Sequence, residues 1–331
     1  MKQKLAALTL AALTLCLPAR AEETQALDTA MAPSGMVMVG DALYVADTYH
    51  RAVWAVEHGT ASLLTGRMEV TDLFGQPVAG YNDDALNGAA FSQPWDIVPY
   101  DDGFLVSDAG NHVLRYIDLD QERVYTAVGA GTAGYRNDTG EKAAFDMPTG
   151  LAVDDEGTVY IADTGNDVIR AMDADGIITT YAGGGEGCAL GDLETVRFSG
   201  PTGLCWADGV LYVADTGNHR IVAIRDGEAT LVAGAEYDGE GIYEGGFLDG
   251  PAEFARFASP QGVAVGTDGT IYVADTGNGA VRSIREGHVT TLLSPDSSGT
   301  YPIAPRSLFF CGDTLYMGDV FAKVLISLTV T

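Results

Sequence analysis

Apolar and polar residues alternate with a period of two along most of this chain, in short runs that end on Gly, Asp or Asn. No stretch carries a helical period. A representative unit shows the grain: a strand is predicted at Gly150 to Val153, a turn at Asp154-Asp155-Glu156-Gly157, and a second strand at Thr158 to Ala162. A further turn follows at Asp163 to Asn166, then strands at Asp167 to Met172 and Ile177 to Ala182. Val, Ile, Tyr and Thr fill the strands, while Asp-Glu-Gly and Thr-Gly-Asn supply the positive-φ positions that tight reversals need.

One phrase recurs six times: Leu43-Tyr-Val-Ala-Asp47-Thr, Phe104-Leu-Val-Ser-Asp108-Ala-Gly-Asn111, Val159-Tyr-Ile-Ala-Asp163-Thr-Gly-Asn166, Leu211-Tyr-Val-Ala-Asp215-Thr-Gly-Asn218, Ile271-Tyr-Val-Ala-Asp275-Thr-Gly-Asn278 and Leu315-Tyr-Met-Gly-Asp319. The steps between the aspartates are 61, 55, 52, 60 and 44 residues, enough for four short strands and their turns. The expected fold is therefore all-β, a six-bladed β-propeller of four-stranded antiparallel blades over residues 22–331 as one domain. Closing the ring removes sheet edges that would otherwise invite aggregation. The sixth unit ends after a third strand at Lys323 to Leu328, so the segment from Thr24 to Asp28 is expected to supply its outer strand.

The Pro-x-Gly-Φ opening, the Tyr212-to-Arg220 core Tyr-Val-Ala-Asp-Thr-Gly-Asn-His-Arg and an Ala-x-Phe-x-x-Pro lead-in resemble NHL repeats, over essentially residues 31 to 328. The resemblance is closest in the third, fourth and fifth units. It is weaker in the first and sixth, where Tyr49-His50 and Val320-Phe321 stand in place of Gly-Asn. Some members of that family are amidating lyases that use zinc and channel histidines, and this sequence offers no histidine at the corresponding inward strands.

Residues 1 to 21 read as a secretory signal: Lys2 and Lys4, an apolar run from Leu5 to Leu17, then Ala19-Arg20-Ala21. The expected location is periplasmic or extracellular, with no membrane insertion after cleavage. Leu15 before Cys16 argues against lipidation. The whole chain carries a net charge of −28, and −31 once the three positive charges of the leader are gone. A surface so acidic repels phosphate backbones, which disfavours nucleic-acid partners and the RNA-binding role of some eukaryotic NHL proteins. Past the leader the cysteines are Cys188, Cys205 and Cys311; a Cys188–Cys205 bridge and free thiols are both open.

Candidate chemistry concentrates on one face, where the loops entering each innermost strand meet the Asp-Thr-Gly-Asn turns. The longest insertions, 69–87, 129–143, 186–195 and 235–253, bring Asp83, Asp84, Asp138, Glu141, Asp192, Glu194, Glu236, Asp238, Glu240, Glu244, Asp249 and Glu253, predicting an acidic rim around the channel mouth. The repeat aspartates Asp47, Asp108, Asp163, Asp215, Asp275 and Asp319 are read as structural, each accepting backbone N–H bonds in its own turn. Arg115, Arg170 and Arg282, seven residues later, are expected in blade-to-blade ion pairs. Histidines 50, 112 and 219 fall in turns of different blades and do not converge.

The residues after each opening proline should ring the mouth: Ser34, Trp95, Thr149, Thr202, Gln261 and Arg306. The second and sixth units break the pattern with Pro94-Trp95-Asp96 and Pro305-Arg306-Ser307, setting an aromatic, a carboxylate and a guanidinium at one mouth. Trp95 is open to two roles, ligand recognition or a plug. Two functions follow. The first is a monomeric, non-enzymatic binding or scaffold propeller for a protein, peptide or glycan. The second is a calcium-dependent hydrolase or lyase, for which Asp96 is the one placed candidate ligand.

Overall fold

A computed structural model describes residues 21–27, 31–73, 75–235, 245–295 and 303–330. The predicted leader therefore lies outside the described residues, apart from its last residue, Ala21. Six antiparallel sheets surround a central channel as the blades of a propeller. Their innermost strands are Pro33–Val39, Pro94–Tyr100, Pro148–Val153, Pro201–Ala207, Gly262–Val265 and Pro305–Cys311. In each blade the chain then steps outward strand by strand. In the third blade the strands run Pro148–Val153, Val159–Asp163, Val168–Met172 and Ile178–Ala182, within two residues of the expected bounds.

The sixth blade closes as expected. Its outermost strand is Ala21–Leu27, antiparallel to Val324–Val330, with Thr24 opposite Leu328 and Leu27 opposite Leu325. The first and last of the described strands thus share one sheet.

The blades pack face to face through apolar clusters, and the lead-in phenylalanines Phe91, Phe145, Phe198 and Phe257 are buried in the seams. The opening glycines sit where innermost strands come closest. A Cβ on Gly150 would lie 2.0 Å from the Thr202 carbonyl oxygen, and one on Gly203 would lie 2.3 Å from that of Gln261. Only a residue without a side chain permits that approach.

The turn chemistry differs in detail from expectation. Thr164–Asn166, Thr216–Asn218 and Thr276–Asn278 form 3-10 turns, and the left-handed conformation falls on the residue after each: Asp167, His219 and Gly279 at φ 56°, 52° and 59°. Gly165 is glycine for space, since a Cβ there would meet Asp146 Cγ at 2.6 Å. The turn threonines also clasp the next blade. Thr48 Oγ1 donates to Pro94 O at 2.8 Å, Thr164 Oγ1 to Pro201 O at 2.7 Å, Thr216 Oγ1 to Pro260 O at 2.7 Å and Thr276 Oγ1 to Pro305 O at 2.6 Å.

Candidate functional site

The repeat aspartates are fully buried, and their partners correct the expectation of bonds within their own turns. Asp108, Asp163, Asp215 and Asp275 accept backbone N–H groups from the loop entering their own blade: Gln93 at 2.8 Å, Asp146 at 2.7 Å, Ser199 at 2.8 Å and Ala258 at 2.7 Å. They also take the Asn side-chain amide of their turn, as Asn166 Nδ2 to Asp163 at 2.9 Å shows. Asp47 and Asp319 do accept N–H groups of their own turns, His50 at 2.9 Å and Ala322 at 2.8 Å. Burial pushes the carboxyls of Asp108, Asp163, Asp215 and Asp275 up, against the lowering pull of these donors and of an arginine.

The arginine pairs lie within a blade rather than between blades. Arg170 Nη1 meets Asp163 at 2.7 Å and Arg282 Nη1 meets Asp275 at 2.8 Å, one strand apart. Arg115 reaches Asp108 at 3.4 Å and Asp83 at 2.7 Å. Each guanidinium is sandwiched between two aromatic rings, Arg170 between Tyr135 and Phe145 and Arg282 between Phe247 and Phe257. In the fourth blade Arg220 does this work from five residues away, at 2.7 Å from Asp215. In the first blade His50 and Trp54 replace the cation.

The predicted acidic rim is largely not at the mouth. Short strands in the insertions, Asp84–Ala85, Gly191–Asp192 and Gly250–Pro251, pair with the outer strands of the second, fourth and fifth blades, which become five-stranded. This draws the insertions to the periphery. Asp83 binds Arg115 and the Thr126 N–H, Asp249 binds Arg282 and the Thr291 N–H, and Asp192 caps Thr195. These carboxylates are satisfied structurally. Glu236, Asp238, Glu240 and Glu244 lie outside the described residues.

At the mouth, three of the sequence candidates converge. The Arg306 guanidinium lies 4.4 Å from the Trp95 ring centroid, and Arg306 Nε donates to Gln261 Oε1 at 3.0 Å. These side chains meet at the channel neck, where a space of only about 40 Å³ remains between them and the innermost strands, so the Trp95–Arg306 pair forms a plug in the geometric sense. Burial lowers Arg306 to about 10. Thr149 and Thr202 are buried and join the ring as braces, with Thr202 Oγ1 3.1 Å from Gln261 O and Thr149 Oγ1 3.3 Å from Thr202 O. Ser34 braces the first blade to Pro94 O at 3.1 Å.

Asp96 lies one residue deeper, in the channel wall. Its two oxygens accept the N–H groups of Ile97 and Leu151, both at 2.9 Å, and burial raises its carboxyl to about 7. Calcium takes 6–8 oxygen ligands; no group of three or more His, Cys, Asp or Glu that could hold a metal ion occurs among the described residues, and Arg306 lines the same channel neck as Asp96. The histidines are likewise spent on structure: His112 and His219 accept the N–H groups of Met147 and Ser259 in the next blade at 3.1 and 2.8 Å. Cys188, Cys205 and Cys311 are free thiols, so the Cys188–Cys205 bridge does not form. Burial in the channel wall pushes the Cys205 thiol up to about 11.

Beside the plug, a cavity of about 500 Å³ opens on the loop face between the first and sixth blades. Arg306 forms part of its wall, together with Tyr49, Arg51, Phe321 and Lys323. These last four did not figure among the sequence candidates. The signal for them was present, since Tyr49 and Phe321 stand where the first and sixth units lose Gly-Asn. A second cavity of about 310 Å³, lined by the apolar innermost strands, opens below Asp96 on the opposite face.

The ring of six sheets and its plugged channel define a six-bladed β-propeller. The NHL repeat family model matches residues 145–167, 198–224 and 257–282, so the third, fourth and fifth blades of this propeller carry NHL repeats. Among curated relatives it is 28% identical over 286 residues to SUPPRESSOR OF QUENCHING 1 of Arabidopsis thaliana, covering 80% of this chain and 26% of that protein. It is 25% identical over 277 residues to NHL repeat-containing protein 2 of Gallus gallus, covering 74% and 37%. The chain thus spans well under half the length of either. Solved structures of like fold include an auxiliary nutrient binding protein of Bacteroides ovatus, TM-score 0.62 at 15% identity over 91% of this chain and 70% of that one. Virginiamycin B lyase of Staphylococcus aureus has a TM-score of 0.60 at 12% identity over 93% and 99%. Binding proteins and enzymes share this fold, so the site has to decide between them.

Proposed function

We propose that the protein is a non-catalytic binding propeller that works outside the cytoplasm and holds its ligand on the loop face, beside the Trp95–Arg306 plug. The observation that carries this is the joining of plug and cavity: Arg306, held against the Trp95 ring, forms part of the wall of a pocket of ligand size. Among the described residues nothing at the mouth has the arrangement of a nucleophile with its base, and the titratable groups described there are held in structural contacts. The leader-like first residues support an extracytoplasmic setting, and so does the likeness to a nutrient binding protein. Glycan and peptide arrays probed with the purified protein test this. Signal lost in both Trp95→Ala and Arg306→Ala but kept in Pro99→Ser, a change exposed on the opposite face, is expected. Signal indifferent to all three changes would overturn it.

A further inference from the structure

The cavity between the first and sixth blades collects positive charge in a protein that has little of it. The chain has 18 Lys and Arg against 46 Asp and Glu, so three cations around one cavity are a concentration of a scarce charge. Arg51, Arg306 and Lys323 all line this one cavity, and none of the three forms an ion pair among the described residues. Each is fixed by neutral groups instead. Arg51 donates through Nε to Pro77 O at 2.7 Å and through Nη1 to Ser92 O. Lys323 Nζ rests 3.8 Å from the Tyr49 ring centroid, and Arg306 lies between Trp95 and Gln261. The charges are thus held in place by neutral partners among the described residues.

That arrangement favours an anion, because the cost of fixing the cations is met before binding. Burial alone lowers Arg306. One carboxylate, Asp72, lines the cavity; it lies at the exposed edge and accepts the Gln76 N–H at 2.9 Å. A long polyanion would meet the net negative field of the whole molecule. A single small anion inside the cavity is screened from distant carboxylates beyond ~10 Å and feels chiefly the three cations. The rest of the wall narrows the class. Gln76 and Gln93 offer amides that match hydroxyl groups, and the exposed rings of Tyr49 and Phe321 offer flat faces for C–H surfaces.

We propose that this cavity binds a sugar acid, a small hydroxylated ligand whose carboxylate sits among Arg51, Arg306 and Lys323. The inference rests on the loop face being the binding face. It is tested by titration calorimetry of the full protein with D-galacturonate, D-galactose and propionate. Galacturonate is expected to bind at least about tenfold more tightly than either the neutral sugar or the plain carboxylate. Lys323→Gln, a change at a partly exposed turn, and Arg306→Gln should each weaken it about tenfold, with unaltered melting of Lys323→Gln as the folding control. Added salt should weaken binding further. Equal affinity for galactose and galacturonate, or affinity unchanged in both variants, overturns the carboxylate assignment while leaving the loop face as a binding site. Propionate binding as tightly as galacturonate overturns the sugar part. Failure of all three probes at millimolar concentration overturns the inference, and the array result with Trp95→Ala then decides the broader proposal independently.

Discussion

Arg306 and Trp95 belong to the sixth and second blades, yet the guanidinium of one lies 4.4 Å from the ring centroid of the other, across the width of the first blade. The contact exists because these two blades depart from the Pro-x-Gly opening: large side chains take the x position, and Asp96 and Ser307 replace the glycine. Removing the guanidinium should therefore be read out by the indole. In Arg306→Ala, Trp95 is expected to become solvated, with tryptophan emission shifted to the red and a stability loss of about 1 kcal/mol. Emission identical to that of the parent would show that the pair is not formed in solution.

Asp96 predicts a pH dependence of opposite sign to that of an ordinary paired carboxylate. Burial raises its folded-state pKa to about 7, while the unfolded chain keeps the usual value near ~3.9. The folded state therefore holds the proton more tightly. Whatever stability this protonation contributes is complete below the unfolded value and is lost as pH rises from about 4 through about 7. The loss should be about 2 kcal/mol, less than the full shift would give because Asp96 is only partly buried in the channel wall. Denaturant melts of Asp96→Asn across this range should show a flatter slope of stability against pH than the parent. Matching slopes would place the titration elsewhere.

The buried Asp–Arg pairs give a third expectation. Arg170 is shielded from solvent between two rings, and Asp163 is fully buried. Arg170→Ala is expected to cost about 3–5 kcal/mol, because it strands a buried carboxylate. Asp163→Asn with Arg170→Met should cost less than the sum of the single changes. Additive losses in urea melts would mean that the two side chains act separately.

The fold was largely legible because its code is local. Alternation, turn residues and a phrase repeated six times specify strands, blades and their number without any long-range contact. The site was legible in part. Trp95, Gln261 and Arg306 share one repeat position, so the repeat itself places them on a common ring. The insertions misled, since a run of Asp and Glu does not say whether a loop turns inward or folds back to an outer strand. That outcome depends on Asp83 and Asp249 meeting Arg115 and Arg282 more than thirty residues away. The cationic cavity was hidden for a similar reason. Arg51 and Lys323 lie at opposite ends of the chain and meet only once the ring closes.

Ring closure itself is the most direct test of the architecture. Val324–Val330 would be an open edge without Ala21–Leu27, and its Leu325, Ile326 and Leu328 are almost fully buried. An exposed, apolar edge strand is an aggregation site. A chain beginning after Leu27 should melt about 10 °C below one beginning at Ala21, corresponding to a loss of about 4 kcal/mol, and should form higher oligomers on sizing columns. A synthetic peptide of residues 21–27 added in trans should raise the melting temperature again in a concentration-dependent way, as expected for a ligand that binds only the folded ring. Equal melting temperatures with and without the segment would mean that the ring holds together without its N-terminal strand.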